Sequence, residues 1–159
     1  MIIRDATPGD AAAWQTLWAQ YLAFYDVDLA AHVTAATWAR LINPVSPVKA
    51  RLALSDDRVI GFAIHLHHPS TWAATEDCYL EDLFVAPDAR GLGAGRALLD
   101  DLIALAAAKG WSRLYWHTNE DNTRARALYD SYVKSDGHIR YRLPLSGPRE
   151  PHRASVNET

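Results

Sequence analysis

Tyr79-Leu80-Glu81-Asp82-Leu83-Phe84-Val85, followed closely by Arg90-Gly91-Leu92-Gly93-Ala94-Gly95, decides how this chain folds. An apolar, strand-like run ends in a turn and opens onto a glycine-rich loop. An alanine- and leucine-rich helix follows. A strand, a glycine-rich turn and a helix N-terminus together form an anion cradle. Backbone N–H groups point outward, the helix dipole favours negative charge, and missing side chains let phosphates come close. The stretch therefore predicts a ligand that carries phosphate. A dinucleotide fingerprint fails because its third glycine would fall on Arg96, and no acid stands about twenty positions on to hold a ribose. A P-loop fails because Arg96 and Ala97 follow Gly95 where Lys and Ser or Thr are required.

A second stretch narrows the reading. Trp111-Ser112-Arg113-Leu114-Tyr115-Trp116-His117-Thr118 is aromatic and suited to a strand. Asn119-Glu120-Asp121-Asn122 makes a polar turn in which Asn122 is placed to cap a short helix from Thr123 to Tyr129. The pattern Arg-x-x-Gly-x-Gly after an apolar strand resembles the acetyl-CoA pyrophosphate loop of the GCN5-related N-acetyltransferase (GNAT) family. The series Trp116, Thr118, Asn122, Ala125, Leu128, Tyr129 resembles that family's second hallmark, in the family's order and separation. Leu80-Glu81-Asp82 and Ala127-Leu128-Tyr129-Asp130 are similar to its polyamine branch and to yeast histone and D-amino-acid acetyltransferases.

Composition sets the outer limits. A chain of 159 residues is expected to form one domain with a real core. Apolar residues make up 49%, which is a globular composition. A net charge of −3 without basic runs argues against nucleic acid as partner. No apolar run reaches membrane-span length, and the start does not read as a signal peptide. The single cysteine, Cys78, excludes an internal disulfide framework and points to a reducing, cytoplasmic setting. Beside a strand it reads as a small buried hydrophobe rather than a nucleophile.

Read along the chain, Ile2-Ile3-Arg4 opens as a strand. Thr7-Pro8-Gly9-Asp10 then starts a helix to about Tyr25, with Trp14, Leu17, Trp18, Tyr21, Leu22 and Tyr25 along its buried stripe. A second helix is expected over 35–42. Strands at 51–54 and 59–66 join through Ser55-Asp56-Asp57-Arg58 as a hairpin. The long helix runs from Gly95 to Lys109 and stops at Gly110. A last strand is expected over His138–Leu145, and Ser146–Thr159 reads as a polar tail. The order β-α-α-β-β-β-α-β-α-β gives an α/β (α+β) class with a mixed central sheet and helices on both faces. It matches the GNAT fold, and the resemblance spans about Ile2 to Leu145, the expected single domain.

The resemblance implies roles. The backbone of Leu83, Phe84 and Val85 would pair with the pantetheine amides as an added strand. Arg90 and the N–H groups of Gly91, Leu92, Gly93, Ala94, Gly95 and Arg96 would hold the pyrophosphate, and Asn122 would bond the pantetheine arm. The cofactor is acetyl-CoA as acetyl donor, with no metal. A free alkylamine, with a pKa near the 10.4 or so of lysine, is protonated near neutral pH, so a base must take its proton. Glu81 is assigned that task through a water, and Tyr129 that of protonating the departing thiolate. Strand alternation would put Glu81 and Asp82 on opposite faces. His65, His67 and His117 fall on strands near the expected cleft as polar wall, with His117 the reserve base.

The acceptor is less sharply written. Tyr25, Asp26, Asp28, Asp82 and His117 would line its pocket, and that acidic, aromatic set suits a small amine such as a polyamine or an amino-acid-like molecule. A protein lysine or N-terminal amine, or a non-catalytic CoA-binding module, stays open. The segment from Asp130 to His138 departs from the family's usual Lys-x-Gly-Phe turn. A homodimer is implied by family habit.

Overall fold

The computed structural model describes residues 1–145, so the expected tail over 146–159 lies outside the described residues. Strands β1 (Ile2–Asp5), β2 (Val48–Ser55), β3 (Arg58–Pro69), β4 (Glu76–Val85) and β5 (Arg113–Trp116) form one sheet in sequential order. The first four neighbours pair antiparallel; β4 and β5 pair parallel, joined by a helical crossover. Helices α1 (Ala11–Phe24) and α2 (Ala31–Ile42) precede β2, α3 (Ala94–Lys109) makes the crossover, and α4 (Thr123–Tyr129) follows β5. No helix of the described residues is long and apolar enough to cross a membrane.

Local chemistry accounts for the element ends. Asp56 and Asp57, at φ 48° and 61°, make the two-residue turn between β2 and β3, the conformation that matches the twist of paired strands. Before α1, Thr7–Asp10 forms a reciprocal cap: the Thr7 N–H and Oγ1–H both donate to Asp10 Oδ2, at 2.8 and 2.7 Å. Arg4 clamps the same carboxylate with two nitrogens at 2.8 Å, holding it well below the ordinary carboxylate range. Gly110, in the left-handed region, ends α3 as expected.

The core lies on both faces of the sheet. Trp14 is fully buried and stacks on Trp18 and Trp38, with ring centroids 5.2 and 5.1 Å away. Trp14 and Trp18 also meet Phe62 of β3, so the stripe predicted from spacing packs from Trp14 to Leu22, whereas Tyr25, just beyond the helix, is exposed. On the other face, Leu98, Leu99 and Leu102 of α3 are fully buried. There Arg51 of β2 donates to both oxygens of Asp101 of α3, at 2.7 and 2.8 Å.

The expected last strand is corrected. Residues 138–145 form no strand, and Ile139, Tyr141, Leu143 and Leu145 are exposed. Their alternating pattern suits a pleated edge, but β5 is only four residues long and pairs with β4 alone. A strand pattern without a partner ladder does not become a strand. Helix α2 also begins earlier than expected, at Ala31, after Ala30 adopts an extended backbone.

Candidate active site

The sheet opens where the stretch leading to the glycine-rich loop begins. Strand β4 pairs with β5 only from Asp77↔Arg113 to Leu80↔Trp116, whereas its pairing with β3 continues to Val85↔Gly61. Residues 81–85 therefore have no strand partner on the β5 side. That free edge leads directly to the loop. Gly91 and Gly93 stand at φ 89° and 82°, which L side chains rarely adopt. A Cβ at either would meet nothing within 4 Å, so their backbone faces open space. Gly93 caps α3, leaving the first-turn N–H groups of Ala94, Gly95 and Arg96 without intrahelical acceptors. Gly95 packs: a Cβ there would lie 3.4 Å from Leu128 and 3.9 Å from Leu83 and Val85, which fixes α3 and α4 against β4.

Charged side chains flank the loop. Arg90 Nε lies 3.4 Å from the Val85 carbonyl. Arg96 donates to Ser131 Oγ at 3.0 Å and sits over the Tyr132 ring, so its side chain turns toward the end of α4. Leu92 is exposed at the loop tip. Asn122 caps α4, its Oδ1 accepting from the Ala125 N–H at 3.2 Å, while its amide N–H group is turned toward the Tyr25 hydroxyl. An open strand edge, unpaired N–H groups and Asn122 together suit a ligand with amides and a diphosphate. The residues present fit acetyl-CoA.

The second half of the site lies on the α1 side of β4. The β3–β4 register shifts between Ile64↔Asp82 and His65↔Leu80, leaving Glu81 as a bulge residue without a β3 partner. The expected alternation of Glu81 and Asp82 is interrupted there. Glu81 is exposed and Asp82 half-buried, yet the charge of Glu81 is felt by Asp82, Tyr21 and Tyr79. Tyr21 of α1 donates its hydroxyl to Asp82 Oδ1 at 2.5 Å. Burial raises the Asp82 carboxyl to about 6, Glu81 adds to the rise, and the Tyr21 hydrogen bond opposes it. Spacing alone had made Tyr21 a core residue; its hydroxyl could be found only by knowing that α1 lies over β4.

Aromatic groups extend this wall. The Tyr25 hydroxyl is raised by burial and then by Asp82, and it interacts with Asn122. Tyr129 packs against Trp116, with centroids 5.3 Å apart, and burial raises its hydroxyl to about 12, so it keeps its proton near neutral pH. Tyr79 stacks on Tyr115 at 5.0 Å, and His117 Nδ1 lies 3.3 Å from the Tyr79 hydroxyl. Asp26, at φ 52°, and Asp28 stand in the exposed turn after α1, apart from the groups that shift Asp82. His65 and His67 are not in the cleft. Alternation along β3 directs them to the α3 side, where His67 stacks on Trp111 and pairs with Glu76 at 2.8 Å, and His65 is 2% exposed.

The profile of the "Acetyltransferase (GNAT) family" matches residues 11–132. D-amino-acid N-acetyltransferase HPA3 of Saccharomyces cerevisiae is 31% identical over 144 residues, covering 89% of each chain. A thialysine N-epsilon-acetyltransferase of Caenorhabditis elegans is 34% identical over 97 residues, 58% of this chain and 60% of that one. A crystal structure of a probable acetyltransferase superposes with a TM-score of 0.82 at 24% identity, covering 93% of this chain and all of that one, a likeness of fold.

Proposed function

The chain belongs to the GNAT family of acetyltransferases, and on that premise we propose that it moves an acetyl group from acetyl-CoA to the primary amine of a small molecule. The acceptor is a polyamine or an amino-acid-like amine. The observation that carries the reading is the meeting of two features on β4: a strand edge left free over residues 81–85, and two carboxylates at its bulge. The free edge and glycine loop suit the donor, and the acidic, tyrosine-rich wall suits a cation. Two relatives bear names that give a D-amino acid and the ε-nitrogen of thialysine as acceptors, both small amines.

Acetyl-CoA, when bound, supplies an activated acetyl thioester. The chain's own residues bind, orient and move protons. Leu83, Phe84 and Val85 offer backbone partners on the free edge, residues 91–96 offer N–H donors, and Asn122 offers its amide. Glu81, at the solvent rim, draws the ammonium's first proton through a water. Tyr129 holds a proton for the leaving sulfur. Asp82, Tyr25 and His117 border the acceptor, with Asp26 and Asp28 drawing cations to the entrance. Holding both reactants in line supplies the remainder of the acceleration.

The test is release of CoA thiol from acetyl-CoA with a panel of polyamines, D- and L-amino acids, aminoglycosides and lysine peptides. Turnover with a small amine is expected. Turnover on peptides alone would reassign the acceptor to protein lysine, and binding without any turnover would make the chain a CoA-binding module. The enzyme further works as a cytoplasmic homodimer; Cys78, buried with its thiol raised to about 11, suits a reducing compartment. Sedimentation at micromolar concentration is expected to give a species of twice the chain mass, and a single-chain mass would discard the dimer.

A further inference from the structure

Turning an alkylammonium into an amide removes two protons from nitrogen, one before the N–C bond forms and one as the C–S bond breaks. The reading above uses Glu81 for the first. We infer that Asp82, held in place by the Tyr21 hydroxyl, is a second catalytic base, which takes the nitrogen's second proton, and that Tyr21 is its positioning residue. The inference rests on the acetyl-transfer reading of the site.

The geometry carries it. Glu81 is exposed at the bulge, open to solvent, which suits the first step. Asp82 lies next to it but half-buried, with Oδ1 fixed by Tyr21 at 2.5 Å and no side-chain hydrogen bond to Oδ2 among the described residues. Tyr21 is itself immobile. Its ring stacks on Trp18 at 5.3 Å and meets Phe62 and Phe84 edge-on, both at 5.9 Å, so the hydroxyl can serve only the carboxylate above it. A carboxylate fixed in this way faces the reacting nitrogen without a rotamer search. The protons balance. Glu81 passes one to solvent, Asp82 takes one, and Tyr129 gives one to the sulfur. Between turnovers Asp82 returns its proton to solvent and Tyr129 takes one back from solvent. Per turnover, one proton leaves for solvent and one stays on the thiol.

The groups around Asp82 are Tyr21 of α1 and Tyr25 just beyond it, apolar Ile64 across β3, and Glu81 and Tyr79 on its own strand, with the charge of Arg140 acting on Tyr79. This set fixes the signs. The Tyr21 hydrogen bond favours the carboxylate, whereas Glu81 disfavours it. Y21F keeps the stacked ring and removes the bond, so the acidic limb of the kcat profile should move up by about one pH unit. E81Q should move it down. Carboxyl carbon NMR of the resting protein supplies a readout that needs no acceptor and no turnover: a resonance titrating near 6, absent in D82N, should shift in those same opposite directions. A resonance and limb unmoved in both Y21F and E81Q, or a limb that persists in an active D82N, would overturn the second base. Failure of the acceptor panel would leave the NMR titration unaffected, so the two readings fail separately.

Discussion

Tyr129→Phe is expected to lower turnover by about 10²–10⁴-fold while leaving CoA affinity within about twofold. The substitution removes one oxygen and keeps the ring that packs on Trp116, so the wall of the site stays in place. What is lost, in the proposed mechanism, is a proton donor. An alkyl thiolate leaving without a proton is a poor leaving group beside an amine that can itself be expelled, and the reaction partitions backward. The environment keeps the donor loaded: burial holds the Tyr129 hydroxyl up at about 12, so the proton is present across the neutral range. It follows that the wild-type kcat should show no decline from tyrosine ionisation below about pH 10, a limit set by that displacement. Steady-state rates against pH and calorimetric titration with CoA measure both halves. An unchanged kcat in Tyr129→Phe would remove this tyrosine from the chemistry.

How far the sequence carried these conclusions depended on the range of each signal. The donor site is local. A strand, a glycine-rich loop and a helix start lie within about seventeen consecutive residues, and the φ values at Gly91 and Gly93 are those that glycine at those positions anticipates. The α1 stripe was legible for a related reason, because helical periodicity is written in a single element. The acceptor wall is not local. Tyr21 and Asp82 are sixty-one residues apart, and nothing in the spacing of either says that one hydroxyl meets one carboxylate. The bulge at Glu81 is likewise a property of two strands, so the spacing within β4 alone does not show where its alternation is interrupted. The histidines of β3 were misplaced by proximity in sequence: His65 and His67 share a strand with the cleft but point to its other side. The unpaired segment 138–145 shows the converse, a clear period-two pattern that lacks a partner edge.

A buried histidine and a half-buried aspartate push stability in opposite directions with pH, and separating them is the second large effect. His65 is 2% exposed, its Nε2 has no hydrogen-bond partner among the described residues, and burial lowers its pKa to about 4. The unfolded chain, with histidine near 6.5, binds more protons at this position between those values, so folding loses stability as pH falls through that window. The gap is worth about 3 kcal/mol when fully expressed. Asp82 does the reverse. Its pKa is raised from 3.8 to about 6, so the folded state binds more protons and gains stability as pH falls, also by about 3 kcal/mol. In the wild type the two largely cancel between pH 7 and 4.5, and urea midpoints at those two values should lie close together. His65→Leu removes the first contribution and should make the protein about 2 kcal/mol more stable at pH 4.5 than at 7; Asp82→Asn should tilt it the other way by a similar amount. Stopping at pH 4.5 keeps Asp10 out of the comparison, because its carboxylate, held low by Arg4, begins to lose its stabilising pair only below the ordinary carboxylate pKa. Parallel urea curves for wild type and His65→Leu at both pH values would mean that the His65 ring is reached by water and protonates without cost.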